Sequence, residues 1–104
     1  MTQIAVFNIG QIIRHTKHDY RGVIVDIDPV FSASDEWYQT NAISMPPKDK
    51  PWYHVLVDDG ELQTYVAEQH LQLDDSDEPI NHPYVDLFFS SFKQDHYVRR
   101  QQTN

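Results

Sequence analysis

Residues 52–66, WYHVLVDDGELQTYV, constrain the fold more than any other stretch of this 104-residue chain. Two alternating runs meet at Asp59-Gly60, a dipeptide able to take the positive φ values that a tight hairpin turn demands. On the first run Tyr53, Val55 and Val57 share one face, and Trp52, His54 and Leu56 share the other. On the second, Leu62, Thr64 and Val66 oppose Glu61, Gln63 and Tyr65. A period of two in both runs predicts an antiparallel strand pair.

Upstream, GQIIRH (10–15) and YRGVIVDIDP (20–29) are two more β-rich runs across a polar turn, with Val23, Val25 and Ile27 alternating with Ile24, Asp26 and Asp28. Gly10 and Gly22 fall where a strand begins or bends and a side chain would be costly. Downstream, AEQHLQL (67–73) predicts a short helical turn and a closing strand. Five such strands in about 65 residues are expected to close into a small barrel, because closure removes exposed edges. Between Pro29 and Pro51 the periodicity fails, which predicts an irregular loop over 30–51 with one helical turn near Asp35 to Gln39. A loop of that length inside a compact domain often marks function or mobility.

Beyond the acidic hinge DDSDEP (74–79), the segment 81–100 places Val85, Phe88 or Phe89, and Phe92 at helical spacing. Pro83 suits a first turn, and Lys93, Arg99 and Arg100 complement the macrodipole at its end. This predicts an amphipathic C-terminal helix whose aromatic face docks on its own barrel or on a neighbouring subunit. The expected organisation is a barrel domain over 1–73, followed by the hinge and helix over 74–104.

Charge and composition narrow the function. Sixteen acids against eight Lys and Arg give a net charge of −8, a potential that repels phosphate backbones at long range. The absence of cysteine removes disulfides, thiolate nucleophiles and cysteine zinc sites. No apolar run approaches the roughly 20 residues of a membrane span. The N-terminus lacks the basic and apolar regions of a signal peptide, so a cytoplasmic location is the expectation. His15 and His18 could meet Asp19 on a metal ion, but no third imidazole is near in sequence and no metal is expected. His54 alternates with apolar residues and reads as a partly buried, hydrogen-bonded imidazole. Ser32, Ser34, Ser90 and Ser91 lie in no nucleophile motif. The pairs Asp26 with Asp28 and Asp58 with Asp59 sit at strand ends, where carboxylates commonly cap turns. Three separated glycines make no phosphate-cradling loop. Neither catalysis nor a cofactor is expected.

The remaining concentration is basic. Arg14, Lys17 and Arg21 against Asp19 leave a local balance of +2, which makes Arg14, Lys17, Arg21 and the neighbouring Tyr20 the candidate DNA- or partner-binding residues. A binder living on phosphate contacts neutralises roughly 6 to 10 of them, whereas residues 10–73 carry five Lys or Arg against ten acids. Tyr20, Trp52, Tyr53 and Tyr65 could add stacking surface for an unpaired base; the alternative is that the aromatics are core and the basic residues solubilise a loop. On the tail, Phe88, Phe89 and Phe92 are the candidate protein-docking anchors.

Four motifs in order, IGQIIRH, YRGVIVDIDP, PWYHVLVDD and TYVAEQHL, resemble the YccV-like family of HspQ-type bacterial heat-shock proteins, also named hemimethylated DNA-binding domain. The resemblance covers residues 9–73. It implies an SH3-like β-barrel, a cytoplasmic stress-response role, no catalytic residues, and self-association. Members resemble accessory factors that promote degradation of selected or denatured proteins by ATP-dependent proteases, the replication initiator DnaA among them. The resemblance also implies binding of hemimethylated DNA near the replication origin. It carries no functional residue onto this chain.

Overall fold

The computed structural model describes residues 4–100. Strands β1 (Ile12–His15), β2 (Arg21–Asp28), β3 (Trp52–Val57), β4 (Gln63–Ala67) and β5 (Leu71–Leu73) form one antiparallel sheet in the order β4-β3-β2-β1-β5. A 3-10 turn, Glu68–His70, joins β4 to β5. The expected strands are all present, and the sheet is mainly responsible for the core. It does not close into the expected barrel: β4 and β5 are its two edges and are not paired with each other. With three residues, β5 lies along β1 through Ile13, Arg14 and His15, and the chain between 68 and 70 turns instead of laying β5 against β4.

Both faces of the sheet are buried. Ile13, Ile24, Tyr53, Val55, Val66 and Leu71 form the inner cluster, capped by Phe7. Ile12, Val23, Val25 and Leu56 point the other way. Strict alternation along β2 would set Asp26 and Asp28 on the inner face with Ile24. A bulge between Ile24 and Asp26 prevents this, pairing Asp26 with His54, Ile27 with Tyr53 and Asp28 with Trp52. Ile27 therefore joins the inner cluster and the two carboxylates turn outward. An unpaired carboxylate in an apolar core is costly enough to make the extra residue worthwhile.

The hairpin between β3 and β4 is wider than a two-residue turn. Asp59 takes the positive φ (64°), and the loop closes where the Val57 N–H donates to the Leu62 carbonyl (3.0 Å). Contacts from outside hold it open: the Asp58 N–H donates to the Arg21 carbonyl and the Asp59 N–H to the Asn81 carbonyl, both at 2.9 Å.

The expected C-terminal helix is replaced by a single turn, α2 (Val85–Phe88), and a hairpin of β6 (Phe89–Lys93) and β7 (His96–Arg99). The spacing of Phe89 and Phe92 suits a helix, but it equally suits a strand with a bulge, and β6 is irregular between Phe89 and Ser91. The tie is broken by what must be covered. Phe89, Tyr97 and Ile80 pack onto Ile12, Val23, Val25 and Leu56, so the tail docks on its own sheet. Tyr97 anchors it: its hydroxyl accepts the Ile80 N–H (2.8 Å), and its own N–H donates to the Gly10 carbonyl (2.8 Å). Gly10 has φ +95°, and a Cβ there would meet the Tyr97 carbonyl oxygen at 2.3 Å.

The 30–51 segment is structured by aromatic rings. Helix α1 (Asp35–Asn41) extends the expected turn and is capped by Ser34, whose hydroxyl accepts the Trp37 N–H (3.1 Å). Tyr38 donates to the Pro46 carbonyl (2.7 Å), and the Trp52 indole donates to the Pro47 carbonyl (3.0 Å). Lys48 sits 4.3 Å from the Tyr38 ring centroid.

Candidate binding groove

The β1–β2 turn supplies one wall of an open groove lined by residues from several segments. His15, buried at the end of β1, accepts the N–H groups of Lys17 (3.1 Å) and His18 (3.0 Å) at Nδ1. Asp19 turns the chain with φ 54°, and Tyr20 returns it to β2. The His15 ring lies against three others, with centroids 4.6 Å from His18, 5.1 Å from Tyr20 and 5.5 Å from His70. Burial first, and then the positive charge of His18, His70 and Lys17, lowers its pKa to about 4. The imidazole is therefore neutral near pH 7 and serves as an acceptor. Burial, with Lys17 and His18, also lowers His70, whose Nε2 meets the Ser44 hydroxyl at 3.0 Å. That contact ties the loop after α1 to the 3-10 turn.

The floor is β4 with His54 of β3, and the far wall is Trp37 with residues 41–44. Tyr20 reaches the floor through a 2.7 Å hydrogen bond between its hydroxyl and that of Thr64, and burial raises its pKa despite that bond. The cavity measures about 640 Å³, within the range of ligand-binding clefts. Its chemistry is aromatic and imidazole with one ammonium, that of Lys17. Ser44 and His70, in hydrogen-bond contact with each other, both line it.

The four basic-turn candidates separate into two sets. Lys17 and Tyr20 line the groove. Arg14 and Arg21 turn toward the protein's own carboxylates: Arg14 pairs with Asp19 (2.7 Å) and Asp74 (3.5 Å), and Arg21 with Asp74 (2.9 Å) and Asp58 (3.0 Å). Arg21 also donates to the Glu78 carbonyl, and its side chain is 15% exposed. The Arg21 pairs stitch β2 to the segments after β3 and β5, and Arg14 ties β1 to Asp74 as well. Burial of Asp74 would raise its pKa, but hydrogen bonds from Ser76 and Arg21 prevail and hold it below the usual carboxylate range.

The aromatic anchors separate as well. Phe89 is 2% exposed and belongs to the core, Phe92 is partly buried against the same cluster, and Phe88 is exposed. Phe89 therefore has no face left for a partner. His15, His18 and Asp19 are not among the residues whose donor atoms converge within the described part of the chain. Local reasoning missed His70, Ser44, Trp37 and Thr64, which reach the groove from four separate segments and carry no shared motif. The one sequence signal was the density of rings.

The family model described as hemimethylated DNA-binding protein YccV like matches residues 5–96. That span includes the five-stranded sheet, α2 and β6, and ends at the first residue of β7.

Proposed function

The chain belongs to the YccV-like family, and we propose that it is a non-enzymatic cytoplasmic stress-response regulator that promotes degradation of selected or denatured proteins by ATP-dependent proteases. The replication initiator DnaA is among the clients this reading includes. The supporting observation is the contrast between the groove and the basic turn. The groove offers rings, imidazoles and a single ammonium to a peptide segment, whereas both arginines of the turn are neutralised by Asp58, Asp74 and Asp19. An acidic protein whose turn arginines are so engaged is poorly equipped for phosphates at that turn and better equipped for a polypeptide. The strand order, with a 3-10 turn before β5, is on this reading an SH3-like arrangement left open between β4 and β5. Self-association through those edges belongs to the same proposal. No described helix is long and apolar enough to cross a membrane.

The test is degradation of a model client by purified ATP-dependent proteases with and without the protein. Stimulation that falls severalfold in Lys17→Glu and His18→Ala, both exposed positions, supports the groove as the docking surface. An unchanged rate across several proteases refutes the regulator.

The family description favours a second reading, recognition of hemimethylated DNA. Lys17 and Tyr20 are then the contacts available at the groove. Equal affinity for hemimethylated and unmethylated duplexes, or affinity unaltered in Lys17→Glu, eliminates it.

A further inference from the structure

We infer that Asp26, Asp28 and His54 form a binding site for one divalent transition-metal cation on the outer face of β2 and β3. Each side chain offers a donor atom, and the three atoms lie within 4.8 Å of one another. The β2 bulge creates the arrangement: it sets Asp26 directly across from His54 and brings Asp28 to the same face. Without it both carboxylates would point into the inner cluster.

The surroundings hold the donors in place. His54 Nε2 and Asp28 Oδ2 are 3.1 Å apart. Tyr65 donates its hydroxyl to the same Asp28 oxygen at 2.7 Å, and its ring lies 4.6 Å from the His54 ring. Such outer partners fix the orientation of ligating groups in metal sites. Asp26 Oδ1 accepts the Ile27 N–H at 2.9 Å, which leaves its second oxygen directed by the backbone.

Charge supplies an independent observation. Two carboxylates share one face, and no Lys or Arg among the described residues pairs with either; the His54 imidazole is the group that faces them. Like charges at this spacing repel unless a cation lies between them. The donor set, one nitrogen and two oxygens without thiolate, suits Zn²⁺, Co²⁺ or Mn²⁺. The imidazole makes it a poor match for Ca²⁺ or Mg²⁺, which favour oxygen throughout. All three side chains are at least partly exposed, so an ion can enter from solvent and complete its shell with water. His54 and Tyr65 also line the groove, so the ion would sit at its rim.

The test is titration of the full chain with Co²⁺, read by the visible absorbance of the bound ion and by competition with Zn²⁺. The expected result is saturation at one equivalent, displacement by Zn²⁺, and affinity at least tenfold weaker in Asp26→Asn and His54→Ala. His18→Ala, which thins the separate imidazole cluster, leaves binding unchanged. Amide resonances of Asp26, Asp28 and His54 shift on Zn²⁺ addition to the wild-type protein, which needs no variant to fold. Absence of saturable binding, retention of full affinity in Asp26→Asn, or loss of it in His18→Ala overturns the site.

Discussion

Replacing His15 with Asn removes a buried titrating ring while keeping an acceptor for the N–H groups of Lys17 and His18, because an Asn side chain makes the same local turn contacts. The consequence is a change in how stability depends on pH. Above pH 6.5 His15 is neutral in both folded and unfolded chains, and its contribution is complete. Between 6.5 and about 4 the unfolded chain binds a proton that the folded chain refuses, so stability falls as the pH falls. Below about 4 both states are protonated and the loss is finished. At 1.36 kcal/mol per pH unit, the gap between 6.5 and about 4 amounts to about 3 kcal/mol. The added proton would also have to enter at Nδ1, where two N–H donors already point, because Nε2 carries the proton of the neutral ring. Urea unfolding followed by fluorescence of Trp37 and Trp52 at pH 7.5, 5.5 and 4.0 measures the effect. Carboxylates and His70 titrate in both proteins and cancel in the difference. The wild-type advantage over His15→Asn should shrink by about 3 kcal/mol across that range. Parallel pH profiles for the two proteins would refute the reasoning, and with it the assignment of a neutral, accepting His15.

Three further outcomes follow from the packing. Gly22→Ala should lower the melting temperature sharply, since a Cβ there meets Val55 Cγ1 at 2.4 Å and the Leu56 carbonyl oxygen at 2.7 Å. Gly60→Ala, with nothing within 4 Å, should leave the melting temperature nearly unchanged. Arg21→Ala should destabilise by about 3 kcal/mol in urea titrations, because it removes the closer arginine from Asp74, whose side chain is 2% exposed, and leaves only Ser76 and Arg14 at 3.5 Å, whereas Lys17→Ala should cost under about 0.5 kcal/mol. Tyr97→Ala should cost about 3 to 5 kcal/mol by the same measurement, through loss of a buried ring against Phe89 and Phe92 and of the acceptor for the Ile80 N–H.

Local chemistry made the sheet legible and left its surroundings dark. The alternation through Tyr53, Val55 and Val57, and the runs at 12–15 and 21–28, could be read because each strand buries side chains of a kind its own period displays. The helical turn near Asp35 was legible as a turn, but its length and its Ser34 cap came only from the structure. The tail could not be read so, because a spacing of three between Phe89 and Phe92 serves a helix and a bulged strand alike. Neither could Arg21, since a count of charges does not distinguish an arginine clasped by Asp58 and Asp74 from one facing solvent.

The sequence by itself determined an antiparallel sheet, an acidic surface and the absence of cysteine chemistry, because period, net charge and composition are properties of the chain before it folds. Only the tertiary structure decided that the sheet stays open, that its second face is covered by a hairpin, and that His15, Trp37, Ser44, Thr64 and His70 surround one groove. Those outcomes depend on which apolar surfaces remain uncovered once the strands have paired, and that balance among distant segments is written in no single stretch of residues.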